Sequence, residues 1–429
     1  MQSRNDASHA VIRRTGVPVG WTVHPVSSLV RFVSGGTPDR SESAYWRDGG
    51  IPWITPTDLT ANNGKYIRQG AEHVSEAGLA NSNAQVVPVG SIIFSARGTV
   101  GNLAVAAVPL TINQSCEVLI PKNDRVTSEF LCFLLSFGMF AFHRLAGGTT
   151  FGAITRRDIG KVRLAVPIAD EQEAIVRLLN ATDTSAQCAA NSLAQAKALD
   201  HAYLHDILES RTGTSRGAKQ PVRWPLQRVD EVAEVGSGVT LGKDVTGFKH
   251  AELPYLRVAN VQDGHLNLDT IKTVKVRLDE VNRYKLKTGD VLMTEGGDLD
   301  KLGRGAIWDG QIPDCLHQNH VFRVRADPTQ LDPRDFACVV ESDIAKRYFM
   351  RVAKRTTNLV STNKTQVRDF RFPLPPLAEQ ALIADVVAAS KARIRALEQK
   401  AAALRQLKQS LMHDLLTGTV RLNPAHFSP

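Results

Sequence analysis

Cysteine is scarce in this 429-residue chain. Its five cysteines (Cys116, Cys132, Cys188, Cys315 and Cys338) are odd in number, scattered, and mostly set in apolar runs. They exclude a disulfide framework and read as reduced thiols of a cytoplasmic protein. Long hydrophobic runs are also missing. The longest, Phe130 to Phe142, is broken by Ser136 and Gly138. It is too short to span a bilayer, so no membrane partner is expected, and it reads as a buried helix. The opening stretch MQSRNDASHAVIRR has no apolar centre, so no secretory signal is read there.

Catalytic signatures are absent as well. No glycine-rich turn is followed by Lys and Ser/Thr, which a phosphate-binding loop requires. The stretch Gly236-Ser237-Gly238-Val239-Thr240-Leu241-Gly242 has the wrong spacing for a phosphate cradle and reads as a loop after a short strand. Asn423-Pro424-Ala425-His426 lacks the second proline and aromatic of an amino-methyltransferase loop. Cys315, His317 and His320 lack a paired-ligand pattern and a fourth ligand, so no metal is expected. Glu295, Asp298 and Asp300 beside Lys301 raise a nuclease centre, but no further phosphodiesterase pattern accompanies them. Trp53 lies in an apolar run and reads as core; Trp46 is a candidate for stacking on bases.

What is present is a repeat. Residues 167–213 align with residues 375–421, so that Glu171-Gln172 falls on Glu379-Gln380 and His205-Asp206-Ile207-Leu208 on His413-Asp414-Leu415-Leu416. A repeat of this length means two copies of one unit. Each copy opens on a tryptophan, Trp21 or Trp224. Matching strand signals follow: Ile51 to Ile54 against Leu253 to Leu256, then Gly90 to Phe94 against Gly289 to Met293. Residues 128–146 and 333–353 read as helices. Each copy closes in a long amphipathic helix. Its seam runs through Ile175, Leu179, Thr182, Ala186, Ala189, Leu193, Ala196, Tyr203 and Ile207 in one copy. In the other it runs through Ile383, Val387, Ser390, Ile394, Leu397, Ala401, Leu404, Leu411 and Leu415. Asp170 with Glu173 reads as a capping box, and Gly213 and Gly418 read as stops.

The expected organisation is a tail at 1–20, a head at 21–166, a helix at 167–212, a basic linker at 213–223, a second head at 224–376, a helix at 377–417, and a tail at 418–429. The fold class is α+β: two tandem mixed heads joined by two long helices. Because domain termini lie close together, the second helix is expected to run back along the first, giving an antiparallel coiled coil with a pseudo-two-fold internal repeat. Each helix would be roughly 60 Å long at 1.5 Å per residue.

Charge points to the partner. The net charge is +9 with pI near 9.4. Residues 167–213 carry three basic and seven acidic groups, whereas 346–371 carry eight basic groups against Asp369. A solvated helix face accounts for such a cluster, but short polar neighbours such as Thr357 and Asn358 suit phosphates and base edges better. Two unlike heads on a rigid spacer match the spacing of paired modules on double-stranded DNA. The candidate DNA-binding residues of the first head are Arg97, Thr99, Asn113, Gln114, Thr149, Thr150, Arg156 and Arg157. In the second they are Lys301, Arg304, Gln318, Asn319, Lys354, Arg355, Thr357, Asn358, Lys364 and Arg368.

With these residues in view, the chain resembles the specificity subunit of type I restriction–modification enzymes from about Trp21 to Leu422. The stretches that carry the resemblance are Ser34-Gly35-Gly36-Thr37-Pro38, Tyr45-Trp46, Gly50 to Ile54, Asp58-Leu59, and Pro373-Leu374-Pro375-Pro376-Leu377-Ala378-Glu379-Gln380. The first helix start, Val166 to Gln172, departs from the pattern by losing the double proline. The resemblance implies that each head is a target-recognition domain for half of a split sequence. It implies that the helices dock two modification (methyltransferase) subunits, which recruit restriction (motor-nuclease) subunits. It also implies that this chain is not itself an enzyme and binds no cofactor, S-adenosylmethionine and ATP/Mg belonging to the partners. The rival readings are a chain with its own nuclease or methyltransferase activity and a coiled-coil scaffold that reads no sequence.

Overall fold

The computed structural model describes residues 16–46, 49–62, 64–122, 124–139, 153–212, 224–297, 302–355 and 360–423. The chain divides into two compact units, Met1–Ala189 with Lys400–Pro429, and Ala190–Gln399. Both are built from the same parts in the same order.

The first unit holds a five-stranded sheet in the order Val30–Ser34, Cys116–Pro121, Ile92–Ser95, Leu103–Ala106, Tyr66–Ile67. Beside it lies a three-stranded sheet, Glu72–Val74, Ile51–Ile54, Thr111–Ile112. The second unit repeats this with a main sheet of four strands, Ala233–Ser237, Val321–Ala326, Val291–Thr294, Gly305–Ile307, and a three-stranded sheet, Lys272–Arg277, His250–Leu256, Leu316–His317. It adds a small sheet of Gly296–Gly297, Val360–Ser361 and Lys354–Arg355. The central strands Ile92–Ser95 and Val291–Thr294 are buried on both faces, which is why they read as unbroken apolar runs. In each unit the entering and leaving strands pair antiparallel: Thr22–Pro25 with Arg163–Val166, and Leu226–Arg228 with Arg371–Pro373. Each head therefore begins and ends at one place.

The first helix of the heads runs Ser128–Phe137, capped by Thr127, whose hydroxyl accepts from Phe130 N; the part of the expected helix beyond residue 139 reaches outside the described residues. The single helix expected over 333–353 is two, Pro333–Glu341 and Asp343–Val352. Ser342 is extended between them. Its hydroxyl donates to Val339 O at 2.6 Å and accepts from Ala345 N, so one side chain ends one helix and starts the next.

The long helices span Ala169–Thr212 and Leu377–Leu416. Asp170 and Glu171 lie in the first turn of their helix, not at its cap. The real fastening is one residue on. Gln172, buried, accepts from Thr127 N at 2.9 Å and donates to Arg125 O at 2.7 Å and Pro167 O at 3.0 Å. Gln380, fully buried, repeats this with Asp332 N (2.7 Å), Gln330 O (3.0 Å) and Pro375 O (2.8 Å). One amide thus ties each long helix to the loop that starts the head helix. Glu171 is buried against Trp21 Nε1 at 3.2 Å and takes both arms of the Arg421 guanidinium, at 2.6 and 2.7 Å. Its counterpart Glu379 is exposed.

Within each unit the two helices are antiparallel. In the first unit Ile175 and Leu179 share a core with Leu415 and Leu416, while Asp183 pairs with Lys408 at 2.5 Å. In the second, Ile207 packs with Ile383 and Val387, while Lys197 pairs with Glu398 at 2.6 Å. Of the remaining seam residues, Thr182, Ala189, Ala196 and Ala401 are buried; Ala186, Leu193, Ser390, Ile394, Leu397, Leu404 and Leu411 are half-buried; Tyr203 is exposed. The first core centres on Ile92, Phe94, Phe130 and Leu134. The second centres on Phe336, Phe349, Phe370 and Phe372, with ring centroids 5.2–6.0 Å apart. Each such side chain contributes about 1.5–3 kcal/mol of burial. Cys116, Cys132 and Cys315 are core thiols that burial pushes up to about 12, so they stay protonated and inert. Cys188 is exposed on the first long helix.

Candidate nucleic-acid interface

At one end of the main sheet of each head, five segments are pinned by matching backbone hydrogen bonds. In the first unit Ala96 N and Arg97 N donate to Ser115 O (2.9 and 3.2 Å), Ile154 N donates to Ala96 O (3.0 Å), Gly36 N to Ile112 O (3.0 Å) and Asn113 N to Ile54 O (2.9 Å). In the second, Glu295 N donates to His320 O (3.0 Å), Thr362 N to Glu295 O (2.7 Å), Val239 N to His317 O (2.7 Å) and Gln318 N to Leu256 O (2.9 Å). The approach is close enough to demand glycine. A Cβ on Gly35 would strike the carbonyl oxygens of Ile112 and Asn113, and one on Gly238 those of His317 and Gln318.

The scaffold is shared, but the side chains it carries differ. In the first unit Asn102 Nδ2 donates to the Thr60 hydroxyl at 2.8 Å, and Thr60 meets Thr99 at 3.1 Å. At the same place in the second unit, Arg304 reaches Gln262 at 2.9 Å. Thr37 donates to the Gln114 amide oxygen in the first. In the second, Lys354 is exposed on the small added sheet.

The candidate residues sort accordingly. The first junction brings together Arg97, Thr99 and Gln114, all exposed, with Asn113, whose side chain accepts from Ser115 N at 3.0 Å and so builds the turn. The second gathers Arg304, Gln318 and Asn319, all half-buried. Arg156 is tied to Ser34 and to Glu117 at 3.0 Å. Arg156 and Arg157 line a groove with Pro25, Phe32 and Lys161. Lys364 and Arg368 line the matching groove of the second unit, but among Asp230, Glu231, Glu234 and Asp327, and Arg368 lies 3.8 Å from Asp230. That acidic lining opposes phosphates and sets these two apart from the junction. Thr149, Thr150, Lys301, Thr357 and Asn358 lie outside the described residues, as do Asp298, Asp300 and the side chain of Arg355. Thr37, Thr60, Asn102 and Gln262 were missed because each is a common surface residue; only superposing the two copies singles them out.

The tryptophans have structural roles. Trp53 is buried, donating to Gly36 O at 2.9 Å, and Trp46 packs edge-on against it beneath the Arg40 guanidinium. Cys315 is buried, and His320 contacts Glu295. The His317 ring meets Val321 O at 2.7 Å. Among the described residues no group of three His, Cys, Asp or Glu is placed to hold a metal.

Burial is the main cause that lowers the pKa of His317 to about 4; the hydrogen bond to Val321 O opposes it, and the Arg323 guanidinium adds to the lowering against Asp290. The unfolded chain takes up this proton near pH 6.5. The folded second unit resists it until about pH 4. Stability is therefore full above pH 6.5 and falls as pH drops through that window, by about 2 kcal/mol at pH 5. His317→Ile, the residue the first unit has as Ile112, is expected to flatten that loss. Hydrogen exchange of the second unit at pH 7 and pH 5 measures it, and an unchanged slope in the variant would refute it.

Similarity to known proteins agrees with this architecture. The family model described as "Type I restriction modification DNA specificity domain" matches twice, over residues 18–198 and 221–406. The chain is 27% identical over 262 residues to the type I restriction enzyme MjaIX specificity subunit of Methanocaldococcus jannaschii, covering 58% of this chain and 60% of that protein. It is 22% identical to the EcoKI specificity subunit of Escherichia coli K12, covering 86% and 81%. The crystal structure of a type I restriction–modification S subunit from M. genitalium superposes with a TM-score of 0.58 at 15% identity, covering 94% of this chain and 97% of the other. The match to MjaIX thus spans under two thirds of that relative's length, and that to a second Methanocaldococcus jannaschii subunit, MjaX, under half.

Proposed function

Since the chain belongs to the type I restriction–modification DNA specificity family and carries two copies of its domain, we propose that it is the sequence-reading subunit of a type I restriction–modification complex. Each head reads one half of a bipartite target in double-stranded DNA. The observation that carries this is the repeated junction: matching backbone bonds, Ser95 N to Asn102 O (3.0 Å) and Thr294 N to Arg304 O (2.9 Å), set Asn102–Thr60 in one head where the other has Arg304–Gln262. A shared scaffold with unlike side chains is what two different half-targets require.

The chain itself performs no chemistry and binds no cofactor. Two modification (methyltransferase) subunits dock on the long helices and bring S-adenosylmethionine; restriction (motor-nuclease) subunits join through them and use ATP/Mg. In this family setting the target adenine is flipped out of the duplex for methylation by the partners. Two equal docking sites are supported by Leu199 and Leu407, which occupy equivalent positions of the two long helices and are 65% and 49% exposed. The complex works in the cytoplasm on the nucleoid. Among the described residues no helix is long and apolar enough to cross a membrane.

The test is exchange of residues 21–166 for the first head of a relative, followed by mapping of methylated motifs in cells that carry the methyltransferase partner. One half of the motif is expected to change and the other to persist. A change in both halves would refute the modular reading, and turnover by the purified chain alone would make it an enzyme.

A further inference from the structure

We propose that Glu295 is a specificity-determining residue of the second head, accepting a hydrogen bond from an exocyclic amino group on a base edge, and that His320 is its positioning residue. This rests on the DNA-reading function proposed above. Glu295 follows the central strand Val291–Thr294 and sits in the junction itself. Its N–H donates to His320 O at 3.0 Å, and its carbonyl accepts from both Thr362 N at 2.7 Å and Thr362 Oγ1 at 2.9 Å. The backbone is therefore fixed on both sides.

The side chain is fixed too. Its Oε2 meets His320 Nδ1, and His320 Nε2 meets Asn319 Nδ2 at 3.4 Å. With the Asn319 amide donating to Nε2, the imidazole carries its proton on Nδ1 and donates it to the carboxylate. A chain of three residues thus aims one carboxylate. Among the described residues Oε1 makes no hydrogen bond, and the side chain is 30% exposed, so the carboxylate keeps acceptor capacity that its described partners do not use.

The first head shows what this adds. There Ala96 occupies the same node, with the same bonds from Ala96 N to Ser115 O and from Ile154 N to Ala96 O, and only a buried methyl. The fold does not need a carboxylate at that place. Its immediate neighbours form the small sheet in which Gly296 pairs with Ser361 and Ser361 with Lys354. A carboxylate brought against DNA is repelled by phosphates, and this cost is offset where it meets a donor. On base edges the donors are the amino groups, N4 of cytosine and N6 of adenine in the major groove. The preorganised acceptor selects a base pair that presents one there.

The experiment uses the complex with its methyltransferase partner and S-adenosylmethionine on a library of duplexes with randomised half-targets. Glu295→Gln and Glu295→Ala are expected to lower the preference at one base pair of the second head's half-target roughly tenfold to a hundredfold, leaving every other position and the salt dependence of binding unchanged. His320→Gln, which still donates, keeps that preference; His320→Ala blurs the same base pair. The identity of the affected pair distinguishes cytosine from adenine. Unchanged preference at all positions, or a uniform loss over all sequences with Glu295→Gln, would overturn the assignment. A wild-type complex with no bipartite preference would overturn the DNA-reading function itself, and this assignment with it.

Discussion

Gln380→Ala is expected to destabilise the second unit by about 3–5 kcal/mol. The amide is fully buried and serves Asp332 N, Gln330 O and Pro375 O at once. Truncation leaves three backbone groups without partners in a site closed to water, at about 1–3 kcal/mol each, with some relief if a water enters. Gln380→Glu keeps the shape but not the donors. It sets a carboxylate against two carbonyl oxygens and should cost as much as alanine. Gln172→Ala should weaken the first unit in the same way through Thr127, Arg125 and Pro167. At this unit size about 2–4 °C of melting temperature accompanies each kcal/mol, so the loss is roughly 6–20 °C. A melting curve of Gln380→Glu matching wild type would show that the amide is not the fastening.

The adjacent letter of the motif behaves differently, and this marks how far the sequence could be read. Glu-Gln recurs in both copies, and the repeat of the second letter is a repeat of three hydrogen bonds. The repeat of the first is not, because Glu171 is buried against Trp21 and Arg421 while Glu379 is exposed. A carboxylate's role depends on which cation the fold brings to it, and Arg421 arrives from 250 residues away. The strands, the long helices and their pairing were legible, since apolar periodicity and the closeness of domain termini both survive folding. The break at Ser342 was not, because its capping competes locally with a helical pattern of apolar residues on both sides. Nor was the division of the basic residues. Lys364 and Arg368 are as basic as Arg97, but only the tertiary structure places Asp230 and Glu234 beside them. Glu295 and His320 drew notice as chemical residue types. Their pairing, and the absence of that pair at Ala96 and Ser115, needed both copies folded.

On the proposed docking of two methyltransferase subunits, Leu199→Asp should remove one and Leu407→Asp the other. Both leucines lie outside the seam that joins the long helices, so neither is needed to hold the fold together. Each belongs to a different unit, at the same position of the repeat. Two copies of one partner require one surface presented twice, and a matched pair of exposed leucines supplies its apolar centre. Burying a leucine on docking contributes about 1.5–3 kcal/mol, and an aspartate there must also be desolvated. Together these weaken each contact by roughly a hundredfold or more. Mass measurement of the assembled complex should then read one methyltransferase subunit per chain in either single variant and none in the double, with helix content unchanged. If the double variant still holds two, the docking surface lies elsewhere on the helices; if either single variant sheds both, the two sites are not independent and the equivalence of the repeats does not extend to their partners.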